Sequence, residues 1–186
     1  MKWCLKPPSL KLILAITTLF LSSCQSRYIT PATQAINASL NSFAAEGDAN
    51  FSYNGRYLVY TSDRAAKRSV YLYNLQQRRL VSLPGLNQPG SMQSQADISA
   101  DGRYIVYCSE QLGKSDIYLY DRSTATSKNL TQNFIGEVRY PSISGDGRFV
   151  TFEGNRSGQW DIEIYDRGTG IDVSAPPISS ITPAPR

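Results

Sequence analysis

A single hairpin pattern occurs three times in this chain of 186 residues, and the repetition limits the fold more than any other feature. The three copies read SYNGRYLVYTSD, SADGRYIVYCSE and SGDGRFVTFEGN. Their turn glycines, Gly55, Gly102 and Gly147, are 47 and 45 residues apart. The register holds for about twenty residues after each glycine. A period of this length without a helical signal is typical of stacked β-sheets.

Each part of the repeat has a physical reason to recur. Gly adopts positive φ freely and Asn or Asp tolerates it, so Asn-Gly and Asp-Gly favour tight hairpin turns. One predicted strand precedes each turn (DANFS, QADIS or YPSIS), and two follow it (RYLVYTS, RYIVYCS or RFVTFEG, then VYLYN, IYLYD or IEIYD). RLVSL and KNLTQ are candidates for a fourth strand. Four strands per repeat predict all-β propeller-type blades, three four-stranded antiparallel units at about 48–92, 93–138 and 139–170.

The strands that follow the turns carry apolar residues on both alternating faces. A strand of this kind is covered on both sides, as it is in a sheet stacked between two other sheets. Repetition therefore lets each sheet bury one face of the next. Cys108 lies in such a strand, and we expect it to be a buried residue rather than a reactive thiol.

The first residues have the pattern of an export signal. Lys2, Lys6 and Lys11 accompany the apolar run LILAITTLFL, which is too short for a convincing membrane span. The run leads into LSSC, which resembles the lipobox of bacterial lipoproteins, in which the cysteine is acylated. We therefore predict a lipoprotein signal peptide at 1–23 and lipidation of Cys24. An ordinary secretory signal and a retained membrane helix are the alternatives.

The segments on either side of the repeats differ from them in composition. Residues 24–47 are rich in Ala, Ser, Thr, Asn and Gln and are predicted to be a flexible, lipid-anchored tether, although RYITPAT is a candidate edge strand. Residues 171–186 are predicted to be a Pro-rich, extended or disordered tail. The expected location is the periplasm, on a membrane. The outer membrane is favoured because Gln25 stands where an Asp marks inner-membrane retention in enterobacteria.

Charge and composition exclude several classes of function. Without the signal peptide, 16 basic residues balance 15 acidic ones, so no basic patch indicates a nucleic-acid partner. The chain has no His, which excludes a His-based triad, a His zinc site and a His general base. Neither a GxSxG elbow nor a Gly-rich phosphate loop occurs. We therefore predict a protein that is not an enzyme and that has no cofactor.

Repeated polar side chains are the candidates for a binding site. The residues eight places after the three turn glycines are Asp63, Glu110 and Asn155. Near-equivalent places before the glycines hold Asp48, Asp97 and Ser142. Acids repeated in this way are usually turn caps, and the alternatives are a central Ca²⁺ site or glycoside hydrolysis. Trp160, beside the turn NRSGQW, either packs over a blade edge or anchors a protein or glycan partner. The predicted binding residues are Trp160, Asp63 and Glu110.

The repeat resembles the blade of the TolB-like propeller proteins of Gram-negative envelopes. That blade has a Pro-x-x-Ser-x-Asp-Gly start, an Asn/Asp-Arg turn, an Asp-Ile-Tyr strand and a closing Leu-Thr. The third copy matches it at Pro141, Ser144, Asp146, Gly147, Asn155, Arg156, Asp161 and Ile162, and the second at Asp116, Ile117, Tyr118, Leu130 and Thr131. The resemblance covers residues 48–170. Together with the lipobox it extends to small TolB-like lipoproteins of cyanobacteria.

The resemblance implies a module that binds other proteins of the envelope. A TolB-type propeller closes with six blades and carries a separate N-terminal domain, so its partner contacts do not carry over to a chain with three blades. Either two chains close one ring as a homodimer, or the chain is an open arc with exposed edges. The predicted function is a non-catalytic, lipid-anchored protein-interaction scaffold. The alternative is a glycan-binding or carbohydrate-active propeller, and a shortened remnant with a structural role is the third possibility.

Overall fold

The structure is a computed structural model that describes residues 40–170. The predicted signal peptide, the lipidation site Cys24, residues 24–39 of the tether and the tail at 171–186 lie outside the described residues. The described strands are β1 Glu46–Phe51, β2 Tyr57–Ser62, β3 Ser69–Asn74, β4 Arg79–Val81, β5 Gln93–Ile98, β6 Tyr104–Ser109, β7 Asp116–Asp121, β8 Thr126–Asn129, β9 Val138–Ile143, β10 Phe149–Gly154 and β11 Asp161–Asp166. Within residues 40–170, no helix has the length and apolar character needed to cross a bilayer.

The strands form three antiparallel sheets, one for each copy of the repeat, which confirms the predicted fold class. Blade 1 has the order β1-β2-β3-β4 and blade 2 the order β5-β6-β7-β8. Blade 3 has the order β11-β10-β9. Its three described strands are one fewer than predicted, and the described chain ends at Gly170, shortly after β11. The long edge of β11, where a fourth strand would pair, has no partner among the described strands.

The turn at each glycine is held by a repeated hydrogen-bond pattern. In blade 2, the Ser99 hydroxyl accepts the Tyr104 N–H and donates to Asp101 Oδ1. Asp101 Oδ1 also accepts the Arg103 N–H, and Gly102 has a φ of 79°. The same contacts recur at the turns of Gly55 and Gly147. The Ser-x-Asn/Asp-Gly-Arg sequence therefore specifies one turn geometry in every blade.

Two apolar cores lie between the blades. The first combines one face of blade 1 with one face of blade 2; its buried residues are Tyr57, Val59, Val70, Leu72, Leu86, Ala96, Ile98, Ile105, Tyr107, Tyr118 and Tyr120. The second does the same for blades 2 and 3; its buried residues are Tyr104, Val106, Cys108, Ile117, Leu119, Val138, Ile143, Val150 and Phe152. The whole of β2 and the whole of β6 are buried. The expected two-sided burial is therefore confirmed for blades 1 and 2, and so is the burial of Cys108.

The first strand of each blade contains a bulge that the sequence did not reveal. Asp48, Gln95 and Tyr140 occupy it with φ of 51–53°. Asp48 Oδ2 accepts the Gln95 N–H at 2.9 Å, and Gln95 Oε1 accepts the Tyr140 N–H at 2.7 Å. Asp48 therefore corresponds to Gln95 and Tyr140, which also lie seven residues before their turn glycines, and not to Asp97, with which it was grouped as a near-equivalent acid. These bonds link the first strands of neighbouring blades.

Two predicted boundaries also change. Blade 1 begins at Glu46, because Glu46 and Gly47 pair with Ser62 and Thr61 in the sheet, so the predicted tether does not extend to residue 47. The fourth strand of blade 2 is Thr126–Asn129 rather than KNLTQ. The chain leaves the sheet after Asn129 because Leu130 packs into the second core and Thr131 Oγ1 accepts the Ile117 N–H.

Candidate interaction site

The outward side of blade 3 is an exposed, partly apolar sheet surface. We call it the blade-3 face and define it by Phe149, Thr151, Glu153, Trp160, Ile162 and Ile164. In the β10–β11 pairing, Thr151 lies opposite Ile164 and Glu153 opposite Ile162, so these side chains share one side of the sheet. Ile162 and Ile164 are 70% and 67% exposed, and Phe149 is 37% exposed. Apolar side chains grouped in this way mark an interaction surface.

The same positions in the other blades are buried between sheets. The counterparts of Phe149, Ile162 and Ile164 in blade 1 are Tyr57, Val70 and Leu72, which lie in the first core. The counterparts in blade 2 are Tyr104, Ile117 and Leu119, which lie in the second core. The blade-3 face is therefore a blade-packing surface with no following blade in the described chain.

Trp160 lies at one end of the blade-3 face, beside charged side chains. The Arg139 guanidinium is 3.8 Å from the centre of the Trp160 ring. Arg139 also pairs with Glu153, its neighbour in the β9–β10 register, at 2.7 Å. A cation over an indole ring orients the ring and leaves its other face available for contact. Trp160 thus forms the rim of the surface whose apolar middle is Ile162 and Ile164.

The outward side of blade 1 is the opposite end of the stack. We call it the blade-1 face and define it by Phe51, Leu58, Tyr60, Tyr71 and Tyr73, which the β1–β2–β3 register places on one side. Leu58, Tyr60 and Tyr73 form a buried cluster against which Leu40 packs. Burial raises the pKa of Tyr60 to about 12. The hydroxyls of Tyr60 and Tyr73 are buried without a hydrogen-bond partner.

Arg64 holds Leu40 and its neighbours in place over the blade-1 face. Its guanidinium lies 4.8 Å from the centre of the Tyr71 ring and 5.5 Å from that of Tyr60. It donates to the Leu40 carbonyl at 2.6 Å and pairs with Glu46 at 3.0 Å. Hydrogen bonds from Ser42, Arg64 and Ser62 hold the pKa of the Glu46 carboxyl below its ordinary value, against the opposing effect of desolvation.

The structure brings two of the three predicted binding residues together. Asp63 and Glu110 line one surface depression of about 560 Å³ between the turns of blades 1 and 2, with Lys67, Arg68 and Met92. Arg68 engages both carboxylate oxygens of Asp63, at 3.0 and 3.2 Å, so Asp63 is occupied in holding its own turn. Trp160 does not line this depression. The third predicted residue therefore belongs to a separate surface.

Two observations concern metal-binding and nucleophilic side chains among the described residues. No group of three or more Cys, Asp and Glu side chains suited to a metal ion occurs within residues 40–170. Cys108 is a buried free cysteine, and burial raises the pKa of its thiol to about 12. A thiol with such a pKa is protonated at neutral pH and is a poor nucleophile. Binding through exposed sheet faces is what this geometry supports.

The sequence reasoning missed the main residues of the blade-3 face, which are Phe149, Ile162 and Ile164. All three were assigned to strands, and their apolar character was taken as a sign of burial. The signal that could have found them is the order of the copies: the third copy has the same outward-facing apolar positions as the first two, and residues 1–186 contain no later copy that would cover them.

Comparison with solved structures places these blades among β-propellers. The chain is similar to TolB from Acinetobacter baumannii, with 24% identity over 68% of this chain and 31% of that one and a TM-score of 0.53. It is similar to a putative TolB from Agrobacterium tumefaciens, with 25% identity over 68% of this chain and 45% of that one and a TM-score of 0.54. A puromycin-hydrolyzing peptidase of Mycobacterium tuberculosis shares the fold at 14% identity, over 70% of this chain and 20% of that one, with a TM-score of 0.52.

The similarity covers about two thirds of this chain. No family model and no curated protein sequence matches this chain. The aligned region spans less than half of each of the two TolB chains. The three blades have a β-propeller fold similar to that of the TolB structures, and their sheets do not close a ring within the described chain.

Proposed function

We propose that this chain, whose blades are those of a TolB-like propeller, is a non-catalytic, lipid-anchored protein-interaction scaffold of the bacterial cell envelope. Cys24 carries the lipid, residues 25–39 form the tether, and the blades extend into the periplasm from a membrane, the outer membrane being favoured. The export pattern of the first 23 residues and the TolB-like blades support the location.

The blade-3 face is the observation that carries the proposal. It combines an apolar middle, Ile162 and Ile164, with a rim made of Trp160 stacked on Arg139. Buried apolar and aromatic anchors surrounded by polar groups are the usual source of binding energy in protein interfaces. The face also occupies the position of a blade-packing surface, so it is already shaped to receive another sheet.

The test is photo-crosslinking in cells that export the full chain. A benzophenone amino acid replaces Phe149, an aromatic side chain on the blade-3 face, and the control places it at Leu112, which is exposed in the β6–β7 turn away from that face. We expect a protein adduct at Phe149 that Ile164→Asp removes. Equal or absent adducts at the two positions would contradict the proposed function. In the same cells, an alkyne-tagged fatty acid should label the chain and should not label Cys24→Ser.

A glycan-binding propeller is the second candidate, and one observation favours it. Asp63 and Glu110 line the same depression, beside Lys67 and Met92. The binding of soluble cell-wall fragments, followed by calorimetry, tests it, with Glu110→Gln as the variant. Binding that Glu110→Gln weakens at least tenfold would favour this candidate, while unchanged weak binding would leave the depression without a role in recognition.

A further inference from the structure

We propose that the partner on the blade-3 face is the blade-1 face of a second copy of this chain, and that two copies close one six-bladed ring. The inference rests on the proposed function, because it names the partner of the surface described there. The proposed interface between blade 3 of one copy and blade 1 of the other should repeat the contacts seen between blades 1 and 2 and between blades 2 and 3.

The turn glycines show which contact is missing. A Cβ atom on Gly102 would lie 2.5 Å from the Tyr57 ring, and one on Gly147 would lie 2.6 Å from the Tyr104 ring. An aromatic ring from the preceding blade thus packs directly against each of these two glycines. Gly55, the counterpart in blade 1, has nothing within 4 Å of its Cβ position. Phe149, the counterpart of those tyrosines in blade 3, is exposed. One end of the row of blades therefore has a turn glycine without an aromatic ring against it, and the other end has an aromatic ring without a turn glycine to pack on.

A paired change in residue type points to the same contact. Arg122 of blade 2 lies 4.5 Å from the Tyr57 ring of blade 1, and Arg167 of blade 3 lies 4.1 Å from the Tyr104 ring of blade 2. At the third interface the ring would be Phe149 and the residue in the arginine position is Leu75. A Tyr–Arg pair has been replaced on both sides by apolar residues, Phe and Leu, that pack together. Within one chain Leu75 packs against the buried cluster of the blade-1 face, and Phe149 would meet it there if blade 3 of a second copy lies against blade 1.

The first strands show the same mismatch between burial and pattern. Ile98 and Ile143 are buried against the preceding blade, each directly before its turn. Their counterpart in blade 1 is Phe51, which is 63% exposed. A blade seated before blade 1 would cover Phe51 as blade 1 covers Ile98.

Leu40 now covers the outer part of the blade-1 face, and the second copy is expected to displace it. Leu40 packs on Leu58, Tyr60 and Tyr73, whose blade 2 counterparts receive Leu86 from the loop after blade 1. Under this cover the Tyr73 hydroxyl is buried without a partner. Its counterpart Tyr120 donates to the Pro84 carbonyl of the preceding blade at 2.9 Å. The cover by Leu40 is therefore incomplete in a way that the cover by a preceding blade is not.

The number of copies follows from the blade count. Propellers close with four to eight blades as a rule, and the described blades of two copies together number six, which lies within that range. The contact joins different surfaces of the two copies, so it forms twice in a closed two-fold ring.

Native mass spectrometry of the full chain, extracted in detergent from the membranes of an expressing host, tests the ring. We expect twice the subunit mass for the unsubstituted protein and a single subunit mass for Ile164→Asp and for Phe51→Asp. A mixture of these two variants should regain dimers, because one of the two interfaces is then intact. Leu112→Asp, an exposed site off both faces, should remain dimeric. In every variant, slow reaction of the buried Cys108 with a thiol reagent should show that the blades are folded.

Two outcomes would overturn the inference. A single subunit mass for the unsubstituted protein would remove the ring, and a dimer broken by Ile164→Asp but not by Phe51→Asp would mean that two blade-3 faces meet each other. Either result leaves the proposed function standing if the Phe149 crosslinks reach a protein. The absence of any Phe149 adduct would count against both.

Discussion

Leu58 and Tyr73 on the blade-1 face are 8% and 0% exposed, whereas Ile162 and Ile164 on the blade-3 face keep two thirds or more of their surface. Both faces terminate the same stack, and both have the alternating apolar pattern of a blade. They differ in what lies over them: Leu40 packs on the blade-1 face and Arg64 holds it there. A strand's pattern thus prepares a face for burial, and the neighbouring chain segment decides whether burial occurs.

The difference also shows how the two interior interfaces work. Each is sealed at its outer part by the loop that follows a fourth strand, through Leu86 at the first interface and through Leu130 and Phe134 at the second. Leu40 plays the same part on the blade-1 face, but it reaches Leu58, Tyr60 and Tyr73 and leaves Phe51 exposed. The two ends of the arc are therefore unequal: one is partly capped and the other is open.

The largest effect should come from truncating one aliphatic side chain on each end face. Leu58→Ala should lower the free energy of unfolding by about 2–4 kcal/mol, because it removes a buried side chain and leaves a cavity. Ile164→Ala should change it by less than about 0.5 kcal/mol, because the side chain is exposed in the single chain. Urea unfolding of dilute, monomeric protein measures both.

Raising the protein concentration tests the difference between these two variants further. If a second copy covers the blade-3 face, Ile164→Ala becomes destabilising as the protein concentration rises, while the effect of Leu58→Ala is already present in the dilute protein. Equal losses for the two variants at the lowest concentration would show that the blade-3 face is buried within one chain, and the comparison between the ends would fail.

The turn glycines provide the next largest effect. Gly102→Ala should cost about 2–4 kcal/mol, because its positive φ is unfavourable for Ala and the new methyl group overlaps the Tyr57 ring. Gly55→Ala shares the positive φ but has open space around it, so about 1 kcal/mol is expected in the dilute monomer. Thermal or urea unfolding of the two variants, with Gly113→Ala as a further open-turn control, gives the comparison. Equal losses at Gly102 and Gly55 would mean that the Tyr57 ring moves aside freely.

Much of the fold could be predicted because the repeat encodes local structure. The Ser99-to-Arg103 turn, the strands around it and the two-sided burial of β6 follow from turn chemistry and alternation, which act within a few residues. The exposure of the outward side of blade 3 could not be predicted in the same way, for a physical reason. Phe149, Ile162 and Ile164 have the same local pattern as their buried counterparts, and only the presence of a neighbouring sheet distinguishes them.

Other features depended on contacts that spacing alone does not contain. The bulge places Asp48, Gln95 and Tyr140 at one position, seven residues before each turn glycine, although they share no chemical property. Asp48 was grouped with Asp97 instead because both are acids, although their distances from the glycine differ. Asp63 and Glu110, which their spacing grouped with Asn155, line one depression, and Asn155 does not line it. Trp160 was singled out for its residue type, but its stacking on Arg139 and its place beside Ile162 needed the β9–β10–β11 register.

A smaller effect should separate two equivalent tyrosines. Tyr120→Phe removes the hydrogen bond to the Pro84 carbonyl, so a loss of about 1 kcal/mol is expected. Tyr73→Phe removes a hydroxyl that has no partner, so the dilute monomer should be unchanged or more stable by a few tenths of a kcal/mol. Urea unfolding of the two variants side by side checks this. A clear loss for Tyr73→Phe in the monomer would show that its hydroxyl is already satisfied and that the cap on blade 1 is complete.

The smallest effect concerns the ion pair that joins the residue after the turn glycine to the end of the third strand in blades 2 and 3. Hydrogen bonds from Arg148 hold the pKa of Asp166 at about 2, and those from Arg103 and Ser123 lower the pKa of Asp121, although burial of Asp121 acts in the opposite direction. A carboxyl with a depressed folded pKa contributes stability above its ordinary value near 4, and that contribution is lost as the pH falls through the folded pKa. Both pairs should therefore weaken as the pH falls below about 4, and for Asp166 the loss is complete only below about 2.

The interior pair should matter more than the pair at the open end. The Asp121 side chain is 17% exposed and that of Asp166 is 42% exposed, so solvent screens the second pair more strongly. Asp121→Asn should lower stability at pH 7 by less than about 1 kcal/mol and should flatten the acid limb of the stability curve. Asp166→Asn should have no resolvable effect in the monomer. Acid titration of unfolding for both variants decides the point, and a larger acid effect for Asp166 would mean that the end of blade 3 is shielded from solvent after all.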